Sequence, residues 1–239
     1  MSRARAQAWL CDRLGLYFPY VSMGNIDSLH LFGDTELMIL AMYQHNERRW
    51  HKVLDIGANL GLHSIFMAQA GFIVRAYEPD FEHYEHLLRN VAANHVFVQT
   101  CMAAVHTKDG NANFVRVLNN LTGNHLEGYK NSYGPKQTVI VPTVDCRPLW
   151  DWADFAKIDC EGNEAELCKT MDYSTMEHFS CVLEVRNEAN AYTIFKHFQE
   201  IEVPMWSQKT DWKQVTAFSE MPHVNRQGSL FVGHQGPWE

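Results

Sequence analysis

A chain of 239 residues with 46% apolar and 20% charged residues has the balance of a folded, core-forming protein, and its length suits one α/β domain with a small decoration. Twenty Lys and Arg against twenty-eight Asp and Glu leave a net charge of −8, with no basic block, which argues against a nucleic-acid partner. No run approaches the roughly eighteen apolar residues of a membrane span, and the six scattered cysteines (Cys11, Cys101, Cys146, Cys160, Cys168, Cys181) form no C-x-x-C, which points away from a zinc ribbon and towards a reducing, cytoplasmic compartment.

Residues 1–8 carry Arg3 and Arg5 without an acid and lack the apolar core of a secretory signal, so a surface helix turn is expected there. Residues 1–32 read as an N-terminal extension packed on the core, and 33–239 as a single domain. Apolar periodicity predicts helices over 34–44, 60–69, 81–93, 162–171 and 188–198, and strands over 52–56, 72–77, 96–100, 155–159, 181–185, 201–207 and 229–233. A hairpin of 112–117 and 138–142 would bracket a Pro/Gly/Asn-rich insertion near 118–137. Strand and helix alternating in this way predict an α/β, Rossmann-like, mostly parallel sheet with helices on both faces. Ligands in such folds bind at the carboxyl ends of the strands.

The first strand runs into Asp55-Ile56-Gly57-Ala58-Asn59-Leu60-Gly61 and then a helix. Glycines there permit a tight turn and close approach to a ligand. A dinucleotide fingerprint would need glycines where Asn59 and Leu62 stand, which counts against an NAD-linked oxidoreductase. The second strand ends in Glu78, about twenty residues on, where an acid grips ribose hydroxyls. The order strand, D-x-G-x-x-x-G, helix, strand, acid points to an adenosyl ligand.

Three stretches together resemble class I S-adenosylmethionine (SAM) methyltransferases and, more narrowly, the FkbM family: Val53-Leu54-Asp55-Ile56-Gly57-Ala58-Asn59-Leu60-Gly61, Ala76-Tyr77-Glu78-Pro79, and Lys157-Ile158-Asp159-Cys160-Glu161-Gly162-Asn163-Glu164. The likeness covers residues 34–186, with Thr143-Val144-Asp145 as a lead-in. It implies a seven-stranded sheet with a reversed last strand. It also implies O-methyl transfer, often to sugar or polyketide hydroxyls, with S-adenosylhomocysteine as product. It places Gly57, Asn59 and Gly61 around the methionine end of SAM, Glu78 on the ribose, Met102-Ala103-Ala104 against adenine, and Glu36 near the amino-acid end. The acceptor would be a small molecule or glycan. A lipid, a polyketide or a protein side chain is the alternative, as is a non-catalytic SAM-binding protein.

Asp159, at the end of the fourth strand, would face the crevice beside the methyl group. Glu161 and Glu164 are expected in the first turn of the next helix, where the macrodipole favours carboxylates. Glu184 is an acid inside an apolar run and needs a partner, and Arg186 projects from the same face. A Glu184–Arg186 structural pair and an acceptor-lining role beside Asp159 both stand as readings. Asp159, Glu161 and Glu184 are thus the candidate catalytic carboxylates.

Among thirteen histidines, His125 stands out as a second candidate base, in the 119–125 loop. His83 and His86 have a spacing that can bind metal but read as a solvated face among Glu82, Glu85 and Arg89. No metal ligand is assigned, although Glu161, Asn187 or Glu188 could supply oxygens to Mg²⁺. Trp150, Trp152, Trp206, Trp212 and Trp238 could stack on sugars, but core packing explains them as well.

Overall fold

The computed structural model describes residues 2–118, 120–129, 131 and 133–239, the side chains of Leu121 and Asn225 excepted. The chain opens with α1 (Arg3–Leu14), which starts on the Ser2 hydroxyl and stops at Gly15 in the left-handed region. A small hairpin, β1 (Ser22–Met23) and β2 (Ile26–Asp27), precedes α2 (Asp34–His45). Then come β3 (Lys52–Ile56), α3 (Leu62–Gln69), β4 (Ile73–Tyr77), α4 (Phe81–Ala93) and β5 (Val98–Cys101). Next are β6 (Ala104–His106), β7 (Gly110–Val117), β8 (His125–Leu126), β9 (Lys136–Asp145) and α5 (Arg147–Trp152). The last part holds β10 (Phe155–Ile158), α6 (Glu164–Cys168), α7 (Tyr173–Met176), β11 (Ser180–Glu184), α8 (Glu188–Glu200), β12 (Met205–Ser207), β13 (Lys213–Gln214) and β14 (Ser229–Val232).

The main sheet has the order β13-β12-β14-β11-β10-β3-β4-β5. Strands β11, β10, β3, β4 and β5 run parallel, and β14 is antiparallel to both β11 and β12. This is the Rossmann-like α/β sheet with a reversed last strand. It has eight strands rather than seven, because the two-residue β13 pairs at the edge of β12. The central strands β10 and β11 are almost wholly buried, as their apolar runs require of strands covered on both faces.

Each face of the sheet carries its own core. On one, Trp50 stacks on Phe155 with ring centroids 3.9 Å apart, and α2 and α3 pack over it. Cys11, Leu16, Phe18, Met23 and Phe32 of the N-terminal segment join this core. On the other, α5, α6 and α8 bury Trp150, Leu167, Ile194 and Phe198.

Local boundaries differ from the sequence reading for local reasons. Residues 3–8 belong to a twelve-residue helix rather than a single turn, although α1 buries only Gln7 and Cys11. The helix expected at 162–171 is the short α6, because Gly162 takes φ +124° and blocks an earlier start. The strand expected at 201–207 shrinks to β12, since Glu202 at φ 56° turns the chain after α8.

The expected hairpin is β7 paired antiparallel with β9 over Gly110–Val117, and it grows into a separate four-stranded sheet of order β6-β9-β7-β8. Asn119, Lys130 and Ser132 of the expected insertion lie outside the described residues. This small sheet is tied to the main one by a buried ion pair. Asp80 caps α4 by accepting the Glu82 and His83 amides, and it also binds Arg116 Nε at 2.6 Å and Asn124 Nδ2 at 3.0 Å. Arg116→Ala would leave the buried Asp80 carboxyl without its guanidinium partner, and is expected to lower stability by about 2 kcal/mol in urea unfolding.

Candidate functional site

The turn after β3 is shaped by what crosses beneath it. Gly57 has φ +75°, and a Cβ there would sit 1.9 Å from the Asp159 carbonyl oxygen. Its amide and that of Ala58 both donate to Tyr77 O at 3.0 Å, so the turn is pinned to the end of β4. Gly61, at φ +88°, lies against Leu87, and Asn59 takes the left-handed region at φ 52°. The amide of Asn59 donates to Glu78 Oε2 at 2.8 Å, and the amide of Asp80 donates to Glu78 Oε1 at 2.8 Å.

These groups line a cavity of about 240 Å³ at the carboxyl ends of the parallel strands. Glu36, Gly57, Asn59, Glu78, Ala103 and Asp159 all contribute to it, as do Glu161 and Glu184. Asp55 and Gly61 sit behind this lining. Asp55 is fully buried, and its Oδ2 accepts the Ser64 hydroxyl at 2.5 Å. The N-terminal hairpin and the small sheet roof the cavity with Ile26, Phe114 and Leu126, and Gly24 bridges to Asn120.

Arg186 gathers the acids on the far wall. One guanidinium nitrogen lies 2.5 Å from Glu161, 2.5 Å from Glu184 and 3.4 Å from Asp159. The expected Glu184–Arg186 pair is therefore present, and it sits in the cavity wall with Asp159. Burial opposes ionisation of Asp159, but Lys157 and Arg186 overcome it and hold the carboxyl well below the usual range. Burial, then the Asp159 charge, push the Glu184 carboxyl well above that range.

Glu161 precedes α6 rather than sitting in its first turn, and it adopts φ 61°. Glu164 does open the helix, fully buried, with its carboxyl accepting the Cys160 and Gly162 amides. Glu36 pairs with His63 Nε2 at 3.0 Å, and Tyr43 Oη lies 2.9 Å from His63 Nδ1. Burial would raise the Glu36 carboxyl, and the His63 bond reverses that and lowers it.

Lys157 and His83 are two of the lining residues to which the sequence reading gave no role in the site. Lys157 is buried at the end of β10, with Nζ 3.4 Å from Gly57 O, 3.4 Å from Asp159 and 3.9 Å from Asp55. Burial lowers its pKa, but Asp159, Asp55 and Glu36 outweigh that and raise it, so it stays charged. A lysine inside an all-buried strand was the available signal, because such a charge needs partners.

His83 is the second. It is not on a solvated face, being 4% exposed and on the buried stripe of α4 with Leu87, Asn90 and Val91. That i, i+4, i+7, i+8 spacing was the signal. His125 is buried on β8, its Nδ1 2.8 Å from Gly123 O, and does not line the cavity. The tryptophans are absent from the lining, with Trp150, Trp206 and Trp212 packed in the core. Among the described residues, no group of three or more His, Cys, Asp or Glu side chains is placed to hold a metal ion, and no helix is long and apolar enough to cross a membrane.

No family model matches the sequence, and no curated protein matches it. Among solved structures, the chain is similar to the human methyltransferase 10 domain containing protein at 11% identity, over 98% of this chain and 96% of that one, with a TM-score of 0.49. It is similar to the N-terminal domain of human METTL16 in complex with SAH at 14% identity, over 98% and 81%, with a TM-score of 0.48. It is also similar to ribosomal protein L11 methylase from Lactobacillus delbrueckii subsp. bulgaricus at 14% identity, over 84% and 79%, with a TM-score of 0.44.

Glu78 gives the site a pH signature. Burial raises its carboxyl from 4.5 to about 8, so the folded protein binds a proton that the unfolded chain has released. Stability of the unliganded protein is expected to fall as pH rises through that window. Glu78→Gln should remove one proton's worth of that slope, read by chemical unfolding at several pH values.

Proposed function

We propose that the protein is a SAM-dependent methyltransferase that transfers a methyl group to a hydroxyl of a sugar, glycan or glycosylated small molecule. The observation that carries the reading is the cradle at the end of β3 and β4. Gly57 leaves no room for a side chain, Glu78 is held by two backbone amides, and the Asn59 Oδ1 beside it is buried with no hydrogen-bond partner. A nucleoside with paired hydroxyls fits such a set of groups. Glu36 stands where the α-amino group of the ligand would be met, and Ala103 offers an apolar surface to a base. The FkbM likeness of the 157–164 stretch supports the same reading.

Bound SAM would supply a methyl group already activated on a sulfonium. The chain's part is then to hold and deprotonate the acceptor. Alignment of the two reacting atoms is worth about 7–11 kcal/mol, more than a base contributes. Asp159 keeps its charge between Lys157 and Arg186 and can accept a hydrogen bond from an acceptor hydroxyl. A carboxyl held so low is a weak base. It is sufficient when the proton leaves late, because an oxygen that has gained a methyl group holds its proton weakly. Glu161 and Glu184 fix the position of Arg186 and thereby the charge on Asp159.

The acceptor class follows from charge. Lys157 and Arg186, the lysine and arginine of the lining, are both engaged by acids, Lys157 by Asp159 and Arg186 by Asp159 and Glu161. An acceptor phosphate would meet acids and no available cation, whereas a neutral hydroxyl meets Asp159. The reading is tested by calorimetric titration in EDTA. Micromolar binding of S-adenosylhomocysteine and none of NAD is expected, and the reverse pattern would overturn it. Asp159→Asn is expected to reduce turnover at least about tenfold with near-normal SAM affinity, measured by steady-state kinetics once an acceptor is found.

A further inference from the structure

We infer that His83 recognises the cofactor, with its Nε2 hydrogen-bonding the nucleoside portion of the ligand held at Glu78. The inference rests on the reading of the cleft as an adenosyl site. The chain passes from the lining residues Glu78 and Pro79 into the first turn of α4, where His83 meets the cavity again. In that turn Asp80 is fully engaged, taking two amides of its own helix, the Arg116 guanidinium and the Asn124 amide. His83 differs. It lines the cavity, it is 4% exposed, and its Nε2 is buried without a hydrogen-bond partner.

A buried polar atom left unpaired is costly, and folded proteins rarely keep one without a use. Asn59, whose amide donates to Glu78, has its Oδ1 buried and unpartnered in the same way. Two residues with orphaned polar atoms thus line the one cavity that Glu78 lines. A ribose with its base, rich in both donors and acceptors, can satisfy both, whereas an apolar ligand would leave both stranded.

Burial lowers the His83 pKa below its ordinary 6.5, opposed by Asp80 and Glu82 and assisted by Arg116 and His86. The ring is therefore neutral at physiological pH. A neutral ring adds no cation next to a sulfonium ligand, and its Nε2 donates or accepts according to tautomer.

The test is calorimetric titration of the full chain carrying His83→Gln, His83→Asn or His83→Leu with S-adenosylhomocysteine and, separately, with adenosine. A glutamine amide reaches the position of Nε2, and an asparagine amide does not. The Gln variant is expected to bind both ligands within about threefold of wild type. The Asn and Leu variants should lose at least about tenfold, the scale of one buried hydrogen bond. Should the Leu variant fail to fold, the Gln and Asn pair decides alone. Wild-type affinity in the Asn variant would overturn the inference. A loss for S-adenosylhomocysteine with none for adenosine would overturn the nucleoside assignment. Absence of S-adenosylhomocysteine binding by the wild-type chain would instead overturn the adenosyl reading of the cleft, and is seen before any substitution is made.

Discussion

The passage of the Asp159 carbonyl beneath Gly57 is the contact on which the rest of the cleft depends. Strands β3 and β10 are parallel neighbours, with Ile56 opposite Ile158. Past the last pair the chains stay in touch, because the residue after β3 has no side chain to hold them apart. The glycine turn and the acidic wall are therefore one rigid piece. A ligand seated on the turn is automatically registered against Asp159, at a distance set by the spacing of adjacent strands.

Charge completes what the backbone begins. Lys157 reaches from β10 to the carbonyl of Gly57 and to Asp159, so a buried ammonium spans the two strand ends. Taking such an ion out of water is expensive, and only close carboxylates offset it. Arg186 does the same one strand further on, tying β11 to the segment after β10 through Glu161 and Asp159. Hydrophobic residues of equal volume would hold these strands at least as well. What the ions add is an unequal hold on protons, with the Asp159 carboxyl pushed down by Lys157 and Arg186 and the Glu184 carboxyl pushed up by burial and by Asp159.

The parts of this arrangement that the sequence discloses are those where one residue type has one physical explanation. Strand β3 and helix α4 match their predicted bounds because Val53 and Leu54 sit in an apolar run and because Asp80 is a strong cap. Glu78 is legible as an acid at a strand end. The small sheet is less so: β6 and β8 are three and two residues long, too short for alternation to show. Helix α1 hides for a related reason, since Arg3, Arg5 and Arg13 mask a helix that touches the core through few residues. His83 and Lys157 were obscured because polar residues are read as exposed by default, and only their place in a buried stripe or strand says otherwise. Glu161 was set in a helix that had not yet begun, because Gly162 delays it.

The small sheet leaves the main chain path after β5 and returns at α5, and between those points the main sheet receives no strand. One part of the cavity wall, with Phe114, Asn124 and Leu126, thus comes from one continuous cassette, hung on the Asp80 latch and abutting Gly162 through Tyr129. Related chains could exchange such a cassette wholesale, by length or by sequence, without shifting a single register of the parallel strands. Variation of that wall and preservation of the glycine turn beside Glu78 are then separable problems for evolution, and for an engineer the graft points are already marked.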